Sequence, residues 1–359
     1  MATTYGNNLK ISIYGGSHDD EIGVIAEGLP KGERFDLEQL LGFMKRRAPG
    51  NAKYATSRKE ADLPIFVSGV DENNVLNGGI FKAIIKNTNT RSSDYSNLFD
   101  IPRPSHADFP ARVKYGEGVD LRGGGHFSGR LTAPLCIVGG ICLQLLEKMG
   151  IKIAAHIYSV KDEKDTAFDL CGVNEETFSA LAARDFPTLS KTAGEKMQAV
   201  IEDARLEGDS VGGIIECAAI GLPIGVGEHM FNGLEGKISS IVFSIPAVKA
   251  IEFGNGFDCT HLFGSENNDP YYVDNGNIKT RTNNCGGILG GMSNGMPIVF
   301  KVGIKPTPSI AKEQDSVSLS KLENTTLIIK GRHDPCIVPR AVPVIEAATA
   351  IAILDTILG

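Results

Sequence analysis

Arginine, histidine and aspartate recur in this chain on short turns beside glycine or proline. The arginines fall in KRRAPG at 45–50, at Arg58 and Arg91, in RPSHAD from Arg103, in RGGGH from Arg122, at Arg130, in GRHDPC at 331–336 and at Arg340. Guanidinium forks match carboxylates and phosphates bidentately, so forks fixed at several distant points can converge on a small polyanion. Exposed charges that end helices are the alternative reading, and Arg46 and Arg47 suit it through the helix dipole. His18, after Gly15, Gly16 and Ser17, and His106, between Pro104 and Asp108, both sit on turns beside hydroxyls and charges. Imidazoles so placed can donate protons near neutral pH, or can be solvent-facing rings. Asp334 follows Arg332 and His333 after the apolar run LIIK, which reads as a strand whose end aims a carboxylate into a cleft; a turn or cap aspartate is the alternative. His18, Asp19 and Asp20 together suggest a metal only weakly, because no second ligand cluster accompanies them.

Two glycine-rich stretches, Gly123–Gly125 and GGILGGMSNG at 286–295, can bring backbone amides close to phosphate. Neither is diagnostic, and the second has the spacing of neither a dinucleotide-binding turn nor a P-loop. The seven cysteines are odd in number, scattered and never spaced C-x-x-C, which signals neither a disulfide frame nor a zinc site. Cys336 reads as a packed thiol rather than a nucleophile. A net charge of −7 argues against a general nucleic-acid or anionic-membrane surface, so any anion site must be local. Glycine, proline or a charge interrupts the longest apolar stretches before about 18 residues and the start has no leader pattern, so the expectation is a soluble cytoplasmic protein.

The elements that must position these residues follow from periodicity. LKISIY alternates and predicts a half-buried strand running into the Gly15–His18 turn, with IGVIAEGL a second strand. Asp36 and Gln39 form a capping-box pattern ahead of a helix stopped by Pro49 and Gly50, which places Lys45, Arg46 and Arg47 on its last turn. Thr132–Met149 is apolar on nearly every side and predicts a helix buried between layers. IKIAAHIYSV, GGIIECAAIG and PIVFKVGIK read as strands. A helix with Met197, Val200, Ile201 and Ala204 on one face precedes Gly208, and a second buried helix follows Pro343. Strands joined by short turns with a few long buried helices favour an α+β layered fold in one domain, residues 1–359, over a doubly wound parallel sheet.

Taken in order, the blocks GGSHDD, KRRAPG, NTNTRSSDYS, RPSHADF, LRGGGHFSGR, SIPAVKAIEFGNGF, GSENND, NNCGGILGGMSNG, IKPTPSI and GRHDPCIVPRAVP resemble the chorismate synthase family from near the first residue to the last. The resemblance implies a lyase that performs an anti 1,4-elimination of phosphate from 5-enolpyruvylshikimate 3-phosphate in the shikimate pathway. It uses reduced FMN without net redox change. A substrate with two carboxylates and a phosphate accounts for the dispersed arginines. The family fold is a β-α-β sandwich with helices between antiparallel sheets, assembled as a homotetramer. A non-catalytic or impaired FMN- or phosphate-binding relative is the rival reading.

Carried onto this sequence, the resemblance makes His106 a proton donor beside the flavin and His18 the acid that protonates the departing phosphate. Asp334 assists removal of the ring proton, and Ser17 and Ser128 orient the relay. Arg46, Arg47, Arg130 and Arg332 hold the substrate. Lys305, Thr307 and Ser309, with Ala247, His106 and Arg332, meet the cofactor. The chain departs from the family's usual pattern at Gly16 and Asp19, at His126, Phe127 and Leu131 in place of arginine, serine and glutamate, and at Pro246.

Overall fold

Leu9 and Ile11 enter the core from one side of the first long strand, which gives it a reason to lie flat on a helical layer. The computed structural model describes residues 3–48, 60–87, 99–329 and 334–359. Strands β1 (Thr3–Tyr5), β2 (Lys10–Gly15), β3 (Glu21–Glu27), β4 (Ile65–Ser68) and β5 (Phe81–Lys86) form an antiparallel sheet in the order β1-β2-β3-β5-β4. In it Ile13 pairs with Val24, and Ile22 with Ile85. The second sheet comprises β6 (Lys152–Val160), β7 (Glu163–Lys164), β8 (Gly213–Ile220) and β9 (Val248–Phe253). Two short hairpins follow, β10 (Tyr271–Asp274) with β11 (Asn277–Thr280) and β12 (Ile288–Leu289) with β13 (Met292–Ser293). The sheet is completed by β14 (Ile298–Ile304) in the antiparallel order β7-β6-β8-β14-β9.

Helix α1 (Leu37–Arg47) starts where Asp36 accepts a bond from the Gln39 amide at 2.9 Å. The box is only half formed. The Asp36 N–H goes instead to Gln144 Oε1 at 2.6 Å, which ties α1 to the long helix of the inner layer. That layer follows α2 (Asp108–Tyr115) and contains α3 (Thr132–Lys148). It is completed, after α4 (Glu175–Ala182) and α5 (Lys191–Leu206), by α6 (Leu234–Ser244) and, beyond α7 (Gly264–Asn267), by α8 (Val338–Ile357). Helix α3 packs on β3 and β5 of the first sheet and α8 on β6 and β8 of the second, with the two helices against each other. Gly139 permits this approach, since a Cβ there would lie 2.2 Å from that of Ala347. One apolar cluster runs through both sheets and the helices, from Leu9 to Leu354. This is the expected α+β sandwich of helices between antiparallel sheets.

Two boundaries differ from the sequence reading. Helix α8 begins at Val338, before Pro343. Pro339 occupies the second helical position, where a missing N–H costs little, whereas Pro343 lies inside the helix and leaves the Pro339 carbonyl without its i→i−4 donor. The strand read as LIIK is instead β16 (Glu323–Leu327), paired with β15 (Gln314–Ser318), and among the described residues of that run only Leu327 belongs to it. Asp334 therefore stands on the approach to α8 rather than at a strand end.

A buried ionic triad fastens the 161–190 excursion to the second sheet. His156 Nδ1 lies 3.2 Å from Asp165 and Nε2 2.9 Å from Glu216, all three fully buried. Glu216 also accepts the Phe168 amide at 2.6 Å, and Asp165 accepts that of Ser190 at 2.8 Å. Burial opposes the imidazolium, yet the two carboxylates raise the His156 pKa above its ordinary 6.5. A group whose folded pKa is raised stabilises fully below its unfolded value and loses that contribution as pH climbs through the folded one. Replacing His156 by Phe is expected to cost about 3–5 kcal/mol near pH 6. In urea titrations from about pH 6 to about pH 9 the deficit should shrink as pH rises; a pH-independent deficit would contradict the charged triad.

Candidate active site

The turn after β2 and a glycine run 105 residues later in the chain build the centre of the site. Gly123, Gly124 and Gly125 all have positive φ, at 59°, 91° and 53°. A Cβ on Gly123 would lie 2.6 Å from the His18 ring and 2.9 Å from Ser17 Oγ. One on Gly124 would lie 3.3 Å from Ser128 Cβ and 3.5 Å from His106 Nε2. The two imidazoles and two hydroxyls thus flank successive residues of one bare backbone segment. The Ser17 amide donates to the Gly125 carbonyl at 3.1 Å, locking the turn onto the run. Ser17 Oγ is buried without a hydrogen-bond partner among the described residues.

His106 is held from behind. Its Nδ1 stands 2.6 Å from Asp108 Oδ1, and Arg103 grips the same carboxylate bidentately with two bonds of 2.7 Å. Burial would raise the Asp108 pKa, but the bonds from Arg103 and His106 outweigh it and hold the carboxyl well below its usual range. An ionised Asp108 can only accept, so Nδ1 carries the proton and Nε2 faces the glycine run. Ser105, before the histidine, has φ 59°, and its carbonyl is anchored by Lys305 Nζ. Arg103 reaches Ser309 Oγ at 3.3 Å, and Lys305 N–H donates to the carbonyl of Ala247, itself at φ 74°.

Arginines close the other side. Arg47 and Arg130 share the fully buried carboxylate of Asp62. Arg47 also donates to Gly129 O at 3.0 Å and Thr132 Oγ1 at 3.2 Å, and Arg130 to Asn87 Oδ1 at 3.0 Å, with Glu60 2.6 Å from its Nη2. Burial opposes ionisation of Asp62, yet the two guanidinium groups lower its pKa. Arg340 pairs with Asp334 at 2.5 Å and donates to Arg47 O at 3.2 Å. Two arcs run from Asp334 toward His106. One passes through Arg340, Arg47, Asp62 and Arg130 to Ser128, which borders Gly124 as His106 Nε2 does. The other runs from Pro335 O to Val211 N, from Ser210 Oγ to Thr307 O, and from Ser309 through Arg103 and Asp108. A cavity of about 550 Å³ borders this second arc, lined in part by Ser210, Lys249, Lys305 and Pro306. The larger cavity of about 750 Å³ at the start of α1 is lined by none of the site residues.

The family model for chorismate synthase matches residues 9–358. The chain belongs to the chorismate synthase family. It is 47% identical to the chorismate synthase of Lancefieldella parvula, over 99% of this chain and 96% of the other. It is 41% identical to that of Korarchaeum cryptofilum (99% and 97% covered) and 42% identical to that of Thermococcus kodakarensis (98% and 97%). A crystal structure of chorismate synthase superposes with TM-score 0.76 at 26% identity, covering 98% of this chain and 92% of the other.

Of the residues the family resemblance singled out, Ser17, His18, His106, Ser128, Arg47, Arg130, Asp334, Thr307, Ser309, Lys305 and Ala247 all fall on this ring or touch it. Arg46 does not join it. Helical spacing turns it away from Arg47 toward α8, where Glu346 binds it bidentately at 2.6 and 2.9 Å. That buried carboxylate also accepts the Ala155 amide, so Arg46 braces the frame instead of offering a free fork. Arg332, like Arg58 and Arg91, lies outside the described residues. Sequence reasoning missed Asp62, Glu60 and Asn87 as partners; an acidic pair next to a block of arginines was the available signal. The departures at Gly16 and Asp19 share one space, since a Cβ at 16 would sit 3.2 Å from Asp19 Oδ2.

Gly125→Ala would place Cβ 2.0 Å from Asp120 O on a left-handed backbone. It is expected to cost at least about 1–3 kcal/mol in urea unfolding. Gly129→Ala meets nothing within 4 Å and should change stability by less than about 0.5 kcal/mol; similar losses for both would contradict the role of the glycine run.

Proposed function

We propose that the chain works as one domain and carries out the family reaction, eliminating phosphate from 5-enolpyruvylshikimate 3-phosphate to give chorismate. The observation that carries this reading is the pair of imidazoles beside successive glycines, His18 at Gly123 and His106 at Gly124, with Asp334 tied through Arg340 to Arg47 of the arginine cluster. His18 protonates the departing phosphate. Asp334, its direction fixed by Arg340, receives the proton from the ring. His106 offers a proton from the Nε2 side while Asp108 retains Nδ1. Ser17 and Ser128 orient these transfers by hydrogen bonds. Arg130, with Arg47 behind it, meets the acidic groups of the substrate, and Glu60 and Asp62 hold both forks in place. Arg332 keeps its place in this proposal on the resemblance alone.

The residues suit reduced FMN. Thr307 Oγ1 and Ser17 Oγ are buried without partners among the described residues. Burial and nearby Lys249 lower the Lys305 pKa, and no carboxylate pairs with it among the described residues. Hydroxyls and an ammonium left in this state favour an anionic, acceptor-rich ligand. Lys305, Thr307, Ser309, Ala247 and His106 would hold it. When bound, reduced flavin lends electron density that helps phosphate depart and recovers it as the proton leaves, so no net oxidation results. No observation favours the non-catalytic relative.

The assay is phosphate release under anaerobic conditions with chemically reduced FMN. His106→Ala and Asp334→Asn should each lower turnover by at least about a hundredfold; near-normal rates would remove that residue's role, and flavin and substrate binding without phosphate release would overturn the reading.

We further propose a cytoplasmic homotetramer. Met230, Phe231, Phe257 and Phe263 are each more than three-quarters exposed, a cost that assembly would remove. Light scattering of the Phe231→Asp, Phe263→Asp double variant should show smaller species than wild type, and an unchanged mass would exclude these two side chains from an interface.

A further inference from the structure

The turn carrying His18 is clasped to the glycine run by two adjacent bonds. One is the Ser17 amide to Gly125 O, at 3.1 Å. The other comes from a side chain: His126 Nδ1 stands 2.9 Å from Gly15 O, across 111 residues of sequence. A carbonyl oxygen only accepts, so Nδ1 of His126 carries a proton and donates it. Together the bonds bracket Gly16 and press the turn onto Gly123–Gly125, where the His18 ring has no spare room. The far side of the turn is held separately, by Asn87 bonds to Gly16 O, Asp19 O and the Asp20 carbonyl. Among the described residues, His126 is the one side chain that holds Gly15, the residue where β2 ends and the turn begins.

We infer that His126 is a positioning residue for His18: by anchoring the Gly15 carbonyl, it fixes the turn that aims the His18 imidazole. This rests on the reading of His18 as the acid that serves the departing phosphate. His126 need not touch substrate or cofactor, and its effect should fall on the rate of the chemical step rather than on binding.

The test pairs hydrogen–deuterium exchange of the ligand-free full chain, read on peptides covering residues 15–20, with anaerobic turnover. His126→Ala removes the donor, and His126→Phe removes it while retaining a ring should the Ala variant fold poorly. His126→Asn places a side-chain amide donor near the original Nδ1. Loss of the donor is expected to speed exchange in the turn and lower kcat by about tenfold, with KM for the phosphorylated substrate within about threefold. Asn should restore both. Unchanged exchange in the Ala and Phe variants would overturn the clasp. Faster exchange with normal kcat would overturn its link to His18, as would failure of Asn to rescue a folded protein. A wild-type chain that releases no phosphate would count against the functional reading, and the exchange result would still decide whether His126 holds the turn.

Discussion

Three successive glycines with positive φ let bare backbone run close against two imidazoles, His18 beside Gly123 and His106 beside Gly124. L side chains rarely adopt that conformation, and at Gly123 and Gly125 any Cβ would collide as well. The site depends on this. With side chains there, the His18 turn could not close on the run, and Ser128, which caps the short helical turn leading into α3, would not stand opposite His106. The glycine run also delivers the start of α3, so the site geometry and the helical layer are built from one continuous segment.

Electrostatics impose the second constraint. Three guanidinium groups, those of Arg47, Arg130 and Arg340, are buried or nearly so and need counter-charges to stay there. Asp62, Glu60 and Asp334 supply them, with Asp62 shared between two forks. The same economy appears around His106, where Asp108 satisfies Arg103 and the imidazole together. Positive φ at Asp62, Ser105 and Ala247 marks where the backbone is bent out of its ordinary range to make these contacts. Such strain concentrates where surrounding structure over-determines a functional geometry.

Much of this was legible in the residues. Alternation of Leu9 and Ile11, the apolar girth of the helices at 132–148 and 338–357, and the block order all pointed to a layered α+β fold. What was not legible was which charges pair. Arg46 and Arg47 are neighbours with the same side chain, yet about 100° of helical rotation per residue sends one to Glu346 and the other to Asp62. Glu346 is too distant to announce itself, 300 residues from Arg46, whereas Asp62 is 15 residues from Arg47 and left a local signal. The LIIK run misled for a related reason. Leu327 ends the β16 ladder and packs with Ile329 and Ile101 as a satellite cluster, while Ile328 is exposed. Local pattern specifies elements, while ion-pair choice is decided by the tertiary approach of distant ones.

The central claim is that distant segments form one pocket in which a reduced flavin and a triply acidic ring lie together. The most direct measurement is a crystal structure of the chain with reduced FMN and 5-enolpyruvylshikimate 3-phosphate bound. The account requires the rings of His18 and His106 and the carboxylate of Asp334 to contact those two ligands from a shared cleft beside Gly123 and Gly124. Ligands seated elsewhere, or these three side chains facing separate regions, would contradict it.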